Sequence, residues 1–135
     1  MAGERTVTAR WDGGLRAVVT AGGFEMVVDE PESVQGGTGT GPQPTEVFLA
    51  SVASCFTIAM AFSAAKRGIE LSGLHVEATG TYDGPRFAAI RVAVTTTAPR
   101  GDELARLMAA AERVCYVTRT LTSSPDVEIV ARNPA

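Results

Sequence analysis

The chain has 135 residues, enough for one domain with a hydrophobic core of its own. Its 12 basic and 15 acidic residues give a formal net charge of −3, and the basic residues are scattered, so neither a nucleic-acid surface nor a polybasic membrane patch is expected. Two cysteines are too few for a disulfide scaffold, and the first residues contain no apolar secretory stretch, so we expect a cytoplasmic protein with reduced thiols.

The first third of the chain predicts three short strands followed by a long loop. Glycine pairs at Gly13-Gly14 and Gly22-Gly23 supply hairpin turns between short runs of strand-forming residues. The predicted strands are Thr6–Trp11, Arg16–Thr20 and Phe24–Val28. A loop that holds four glycines and three prolines is expected from Pro31 to Pro44.

The glycine-rich part of that loop, from Gly36 to Gly41, resembles a phosphate-binding loop. However, Pro42 stands where the dinucleotide-binding fingerprint requires its third glycine, and the Lys-Ser or Lys-Thr pair of a P-loop is absent from the sequence at this place. We interpret this segment as a flexible loop that delivers the chain to the start of the next helix.

A charge-free run from Val47 to Ala65 predicts the central helix of the fold. Its length would allow a membrane span. Against that interpretation, the run is dominated by alanine and serine, which insert weakly, and it lies between segments typical of soluble strands. A helix that is apolar on all sides has to be covered on all sides. We therefore expect a homodimer in which two such helices pack together.

The second half of the chain predicts a strand pair, a helix and a final strand. The pair is His75–Tyr82 and Phe87–Thr97, the helix is the amphipathic segment Asp102–Cys115, and the last strand is Val127–Ala131. Strands gathered into hairpins with helices between the groups favour an α+β fold over a doubly wound parallel sheet. We expect a single domain over residues 1–135.

The two cysteines are the candidates for chemistry. Cys55 lies in the middle of the charge-free helix and Cys115 on the apolar face of the later one, where both could also be inert core residues. Burial disfavours the thiolate, so a reactive Cys55 needs a cation nearby. The first cation along its own helix, Lys66, is roughly 16 Å away. The N-terminal hairpin offers Arg10 and Arg16, and arginine stays protonated.

The single histidine, His75, falls on a predicted strand. A cysteine–histidine hydrolase would need this residue as its base, and a metal site would need it beside both cysteines. The sequence offers no metal-type spacing such as C-x-x-C. We therefore expect a strand histidine without a chemical role, no metal and no bound cofactor.

Three segments carry a resemblance that covers nearly the whole chain. Gly-Gly-x-Gly-x-Gly-Pro-x-Pro-x-Glu precedes a small-residue helix bearing Ala-Ser-Cys55, Lys-Arg-Gly-Ile-x-Leu follows it, and Ala-Glu-Arg-Val-Cys115 comes late in the chain. In order and spacing these segments resemble the OsmC/Ohr family. The resemblance implies an OsmC-like α+β fold and an intertwined homodimer with two long central helices.

The resemblance also implies an activity. Characterised members of the family are thiol peroxidases that act on organic hydroperoxides and hydrogen peroxide. Their first cysteine is peroxidatic, their second is resolving, and an arginine from the N-terminal sheet holds the thiolate. By that pattern Cys55 attacks, Cys115 resolves, and Arg16, rather than Arg10, is the activating cation. The implied partners are a second copy of the chain, a small hydrophobic peroxide and an external dithiol reductant.

The sequence departs from the peroxidase pattern at two positions. The peroxidases carry a glutamate ten residues before the cysteine, which holds the arginine, whereas this chain has Thr45 there and Glu46 one residue later. On a continuous helix Glu46 would point about 180° away from Cys55, where it would favour the helix N-terminus. The second departure is Tyr116, which replaces the proline that usually follows the second cysteine. Both departures resemble the broad OsmC-like branch.

Two functions from different classes follow from these residues. The first is a thiol-dependent peroxidase in which Cys55, Cys115, Arg16 and Glu46 form the active site. The alternative is a non-catalytic protein of the same fold, whose apolar cavity around Cys55 binds a small hydrophobic molecule or senses oxidants.

Overall fold

The computed structural model describes residues 3–134, and its elements form an α+β fold. Contacts within the chain group it into two compact units, of which the first ends at Ala50 and the second begins at Ser51. The boundary lies inside the long helix, and the two units are described separately below. The single domain predicted over residues 1–135 stays a prediction.

The N-terminal unit holds a three-stranded antiparallel sheet with the strand order β1-β2-β3. The strands are β1 (Thr8–Trp11), β2 (Ala17–Ala21) and β3 (Phe24–Val28). The two predicted glycine turns connect them, and all four turn glycines adopt positive φ angles, which only glycine adopts readily. The three predicted strands are confirmed, with two starts and one end shifted by one or two residues.

At two glycines of the loop after β3, the backbone lies so close to a neighbouring segment that a side chain would not fit. A Cβ atom at Gly37 would overlap the carbonyl groups of Glu30 and Pro31, and one at Gly41 would overlap the backbone of Val27. The glycines therefore allow the loop to fold back on the end of the sheet instead of extending away from it. This packing corrects our interpretation of the segment as a flexible connection.

The long helix α1 spans Pro44–Arg67, and its first turn is capped by Glu46. Pro44 occupies the first helical turn, where its missing N–H costs nothing, and the Glu46 carboxylate accepts the N–H of Gln43 at 2.8 Å. Gly68, with φ of 66°, ends the helix. Within residues 3–134, α1 is the one helix long and apolar enough to cross a membrane, a property that core helices of soluble proteins share.

The C-terminal unit contains the hydrophobic core. An antiparallel pair, β4 (His75–Tyr82) and β5 (Phe87–Thr95), is followed by α2 (Gly101–Val114) and the short α3 (Tyr116–Leu121). The predicted strand pair and helix are confirmed to within two residues. The buried cluster joins the C-terminal half of α1 to α2 and consists of Phe56, Ala59, Met60, Ala64, Leu107, Ala111 and Cys115.

The C-terminal strand predicted over Val127–Ala131 is wrong, because no strand forms there in the described part of the chain. Its alternation of apolar residues is typical of a strand, but a strand needs a neighbour to pair with its N–H and C=O groups. No strand of residues 3–134 pairs with this segment, and Ile129 is 93% exposed. Helix α3 was not predicted, since its six residues are too few for a visible period.

Candidate functional site

The structure brings the two cysteines together in the C-terminal unit. Cys55 lies half-buried on α1 and packs against the buried cluster that contains Cys115. Cys115 is fully buried, and the neighbouring Cys55 thiol is one of the groups that lower its pKa. Both cysteines are free thiols. The two thiols therefore lie in the same apolar cluster.

Cys115 stands at the junction of two helices. Its extended backbone, with φ of −84° and ψ of 103°, ends α2 and starts α3. Burial raises the pKa of the Cys115 thiol, but the hydroxyl and N–H of Thr118, the Cys55 thiol and the N–H of Val117 favour the thiolate. The balance lowers the pKa of Cys115 below its ordinary value. The buried sulfur is thus more acidic than its burial alone would make it.

Cys55 opens into an apolar pocket of about 360 Å³. The pocket lies between the exposed side of α1 and the α2–α3 junction, and it is lined by Cys55, Ile58, Ala59, Phe62, Val114 and Tyr116. Tyr116, at the position where the family's peroxidases carry proline, is 83% exposed. The volume falls within the range of small-molecule sites, so the Cys55 sulfur faces a space that a small organic molecule can enter.

Arg16 lies in the N-terminal unit and is held by polar partners there. Its Nε donates to Asp12 Oδ2 at 3.0 Å, a terminal nitrogen lies 2.9 Å from the same oxygen, and the other donates to Thr40 Oγ1 at 3.4 Å. Its side chain is 35% exposed, whereas that of Arg10 is 67% exposed and makes one contact with Asp12 at 3.3 Å. Of the two candidate arginines, Arg16 is the one in a fixed position.

Glu46 serves the start of α1. Its carboxylate accepts the N–H of Gln43, which is the reciprocal bond of a capping box. This bond agrees with the expectation that Glu46 supports the helix N-terminus, and its catalytic role stays a prediction. His75 lies exposed on β4, 3.6 Å from Glu77.

Sequence reasoning missed a buried carboxylate, Asp29, which organises the glycine-rich loop. Asp29 is 1% exposed and accepts bonds from the N–H groups of Glu30, Thr38 and Thr40 and from both threonine hydroxyls. The Thr38 hydroxyl has the largest effect on the pKa of Asp29, which is held far below its usual range although burial opposes this. The available signal was weak: Thr38-Gly39-Thr40, which offers N–H and O–H donors, stands nine to eleven residues after Asp29 in a glycine-rich loop.

A comparison with known families identifies the chain. The sequence profile described as OsmC-like protein matches residues 37–130, which is more than two thirds of the length. The chain belongs to the OsmC-like family. The match includes Cys55, Cys115 and the glycine-rich loop from Gly37 onward. The resemblance deduced from the spacing of these residues is therefore confirmed.

Solved structures extend the family's fold to almost the whole chain. The OsmC-like protein from Mycoplasma pneumoniae is 18% identical and has a TM-score of 0.75, with 92% of this chain and 91% of its own covered. An organic hydroperoxide resistance protein OsmC from Legionella pneumophila is 20% identical, with a TM-score of 0.66 and coverages of 91% and 92%. No curated protein sequence is similar enough to count as a relative.

A third structure is more similar in sequence. A Vibrio cholerae protein, provisionally described as an organic hydroperoxide resistance protein, is 27% identical and has a TM-score of 0.63. The alignment covers 91% of this chain and 89% of that one, and captopril is bound in one of its active sites. The chain thus has an OsmC-like fold, and some of its structural neighbours are named for hydroperoxide resistance.

Proposed function

We propose that the protein is a thiol-dependent peroxidase that reduces organic hydroperoxides or hydrogen peroxide. The observation that carries this proposal is the pair of free thiols in one apolar cluster, one buried and one open to an apolar pocket. Membership of the OsmC-like family and neighbours named for organic hydroperoxide resistance support the substrate class. The cycle needs no bound cofactor and is proposed for the cytoplasm, where thiols are kept reduced.

The proposed cycle begins with Cys55 as the peroxidatic residue. Its thiolate attacks one oxygen of the peroxide, the O–O bond breaks, and the other oxygen takes a proton and leaves as an alcohol or as water. Cys55 is thereby oxidised by two electrons to a sulfenic acid. The assignment to Cys55 rests on access, because this sulfur lines the pocket whereas Cys115 is fully buried.

Cys115 then acts as the resolving residue. Its thiolate attacks the Cys55 sulfur, a disulfide forms, and the sulfenic oxygen leaves as water after it takes a proton. The lowered pKa of Cys115 supports this step, since it raises the thiolate fraction near neutral pH. An external dithiol then donates two electrons and two protons by thiol–disulfide exchange and regenerates both cysteines.

Arg16 is the proposed activating cation of Cys55. A guanidinium stays charged at every physiological pH and offers several N–H donors to a thiolate. The two hydrogen bonds and the ion pair that hold Arg16 favour it over the more exposed Arg10. Glu46 is proposed to act through the helix start, where its carboxylate caps α1 and keeps the segment that carries Cys55 helical.

The active form is proposed to be a homodimer. One face of α1 in the C-terminal unit is exposed and free of charge, and it consists of Ser51, Ser54, Ile58, Ala61, Phe62 and Ala65. Ile58 is 68% and Phe62 is 56% exposed, which is unfavourable for large apolar side chains in water. A second copy would cover this face, with an obligate interface on the order of 2,000 Å². A folded monomer in sedimentation at micromolar concentration would contradict the dimer.

A coupled peroxide-consumption assay with dithiothreitol as the reductant tests the catalytic proposal. Wild type should consume cumene hydroperoxide catalytically, and Cys55→Ser should lose at least about 100-fold of that activity because the nucleophile is removed. The matched variant Cys115→Ser should keep a first turnover and accumulate a sulfenic acid at Cys55 that dimedone traps. The proposal fails if wild type is no faster than Cys55→Ser.

The apolar pocket also favours a second candidate, a non-catalytic protein that binds a small hydrophobic molecule or senses oxidants. A pocket of about 360 Å³ with an exposed Tyr116 at its rim is suitable for such a ligand. Binding of a fluorescent apolar probe that Tyr116→Ala weakens, in a wild type that shows no peroxide turnover, would favour this candidate.

A further inference from the structure

The chain lacks the glutamate that holds the arginine in the family's peroxidases, and this raises the question of what orients Arg16. Thr45 occupies the glutamate position. The neighbouring carboxylate, Glu46, accepts the N–H of Gln43 as part of the helix cap. Arg16, however, has a carboxylate partner within its own hairpin.

That partner is Asp12, four residues before Arg16 and across the turn between β1 and β2. The Nε of Arg16 donates to Asp12 Oδ2 at 3.0 Å, and a terminal nitrogen lies 2.9 Å from the same oxygen. The backbone fixes the pair as well, because the Asp12 N–H donates to the Arg16 carbonyl at 2.9 Å and the Arg16 N–H donates to Gly13 at 3.1 Å. The carboxylate and the guanidinium therefore belong to one tight turn.

A second contact restricts the other end of the guanidinium. The remaining terminal nitrogen of Arg16 donates to Thr40 Oγ1 at 3.4 Å. The Thr40 hydroxyl in turn donates to Asp29 Oδ2 at 2.8 Å, and the Thr40 N–H lies 3.1 Å from the same oxygen. Thr40 is thus held by a buried carboxylate, and its oxygen keeps a lone pair for Arg16. Asp29 supports Arg16 through Thr40.

We propose that Asp12 is the positioning residue for Arg16, with Thr40 as its second support, and that it replaces the missing glutamate of the peroxidase pattern. This proposal rests on the proposed role of Arg16 in activating Cys55. A guanidinium has five N–H donors, and the contacts with Asp12 and Thr40 leave an N–H on each terminal nitrogen for a thiolate. The arginine is therefore oriented without being saturated.

The direction in which removal of Asp12 changes the reaction rate of Cys55 distinguishes a positioning role from simple charge balance. If Asp12 only neutralised part of the Arg16 charge, its removal would strengthen the cation and speed the reaction of Cys55. If Asp12 orients the guanidinium, its removal lets the side chain move away and slows the reaction. The proposal therefore predicts slower alkylation of Cys55 in Asp12→Asn.

The experiment measures the rate at which iodoacetamide alkylates Cys55 in the reduced protein, by peptide mass spectrometry, from pH 5 to pH 9. At pH 7 we expect Asp12→Asn to be slower by about 3- to 10-fold, Asp12→Glu to recover part of the loss, and the rate profile of Asp12→Asn to move to higher pH. Arg10→Met, which removes the exposed arginine that shares Asp12, should stay within about twofold of wild type.

Arg16→Met distinguishes failure of this proposal from failure of the proposed activation. If Arg16→Met slows alkylation and Asp12→Asn leaves it unchanged or speeds it, the positioning role alone is overturned. If Arg16→Met has no effect, the activating role of Arg16 and the positioning role of Asp12 both fall. As a readout independent of reactivity, the Nε–H of Arg16 should show slow solvent exchange by NMR in wild type and fast exchange in a folded Asp12→Asn.

Discussion

The glycine-rich loop is held by hydrogen bonds to one buried charge, whereas the thiol pocket is formed by apolar side chains. In the loop, one buried carboxylate, Asp29, accepts hydrogen bonds from three N–H groups and two hydroxyls, all from the next eleven residues of the chain. Around the thiols, the structure depends on a cluster of apolar side chains from α1 and α2, and a charge-free face of α1 stays exposed. The polar groups of the loop are satisfied within one chain, whereas the charge-free face of α1 beside the pocket stays exposed in it.

The largest effect on stability is expected from a substitution in the buried apolar cluster around the thiols. Leu107 is fully buried in the cluster that contains Cys115, so Leu107→Ala should reduce the free energy of unfolding by about 2–5 kcal/mol through lost contacts and a cavity. Urea unfolding measures the change. Leu121→Ala, at a leucine that is 40% exposed, should cost less than about 1 kcal/mol. Equal costs at the two leucines would mean that the core is not centred on α2.

On the polar side, replacing Asp29 should loosen the loop locally. Asp29→Asn keeps the shape but removes the charge and one acceptor, so the amides of Thr38 and Thr40 should exchange with solvent at least about tenfold faster. Hydrogen exchange by NMR measures this. The control is Asp83→Asn, which breaks an exposed ion pair with Arg86 at 3.0 Å and should leave both amides unchanged. Unchanged exchange in Asp29→Asn would show that backbone packing alone holds the loop.

The same carboxylate predicts how stability depends on acid. Because the pKa of Asp29 is lower in the folded than in the unfolded state, the unfolded chain binds its proton first. The stabilisation is therefore fully present above the unfolded value of about 3.9 and is lost as the pH falls. Asp29→Asn should lose less stability than wild type between pH 5 and pH 2 in chemical unfolding. Parallel curves for the two proteins would contradict the prediction.

The smallest effect is expected from the buried thiol. Since the pKa of Cys115 is lower in the folded than in the unfolded state, its contribution to stability is complete above the unfolded value and decreases as the pH falls through the folded one. The reduced protein should thus become more stable, relative to Cys115→Ser, as the pH rises from 7 towards 9. The difference between their urea midpoints at each pH measures this. A difference that shrinks with pH would mean that burial outweighs the hydrogen bonds of Thr118.

The sequence predicted the strands and helices that are determined by residues close together in the chain. The glycine turns set β1 to β3, the amphipathic period of α2 placed Cys115 on its apolar face, and the charge-free run Val47–Ala65 indicated α1. The juxtaposition of Cys55 and Cys115 followed only from the resemblance to the family, because sixty residues separate them. No periodicity argument reaches across that distance.

The sequence could not predict features that depend on a partner in space. The alternation in Val127–Ala131 indicated a strand, but no strand pairs with it in residues 3–134. Asp12 and Asp29 look like ordinary turn aspartates, and only the folded hairpin and loop show which donors surround each one. The role of a polar side chain depends on which groups surround it in the folded chain, and hydrophobic patterning contains no information on those neighbours.

The bonding around Asp29 explains why a loop with so many glycines needs no phosphate. In phosphate-binding loops, successive backbone N–H groups converge on an anion that arrives from solution. Here the N–H groups of Glu30, Thr38 and Thr40 converge on a carboxylate that belongs to the chain itself. The loop is therefore an anion-binding nest whose anion is the Asp29 carboxylate of the same chain. A nucleotide phosphate would have to displace this carboxylate, which cannot dissociate from the protein.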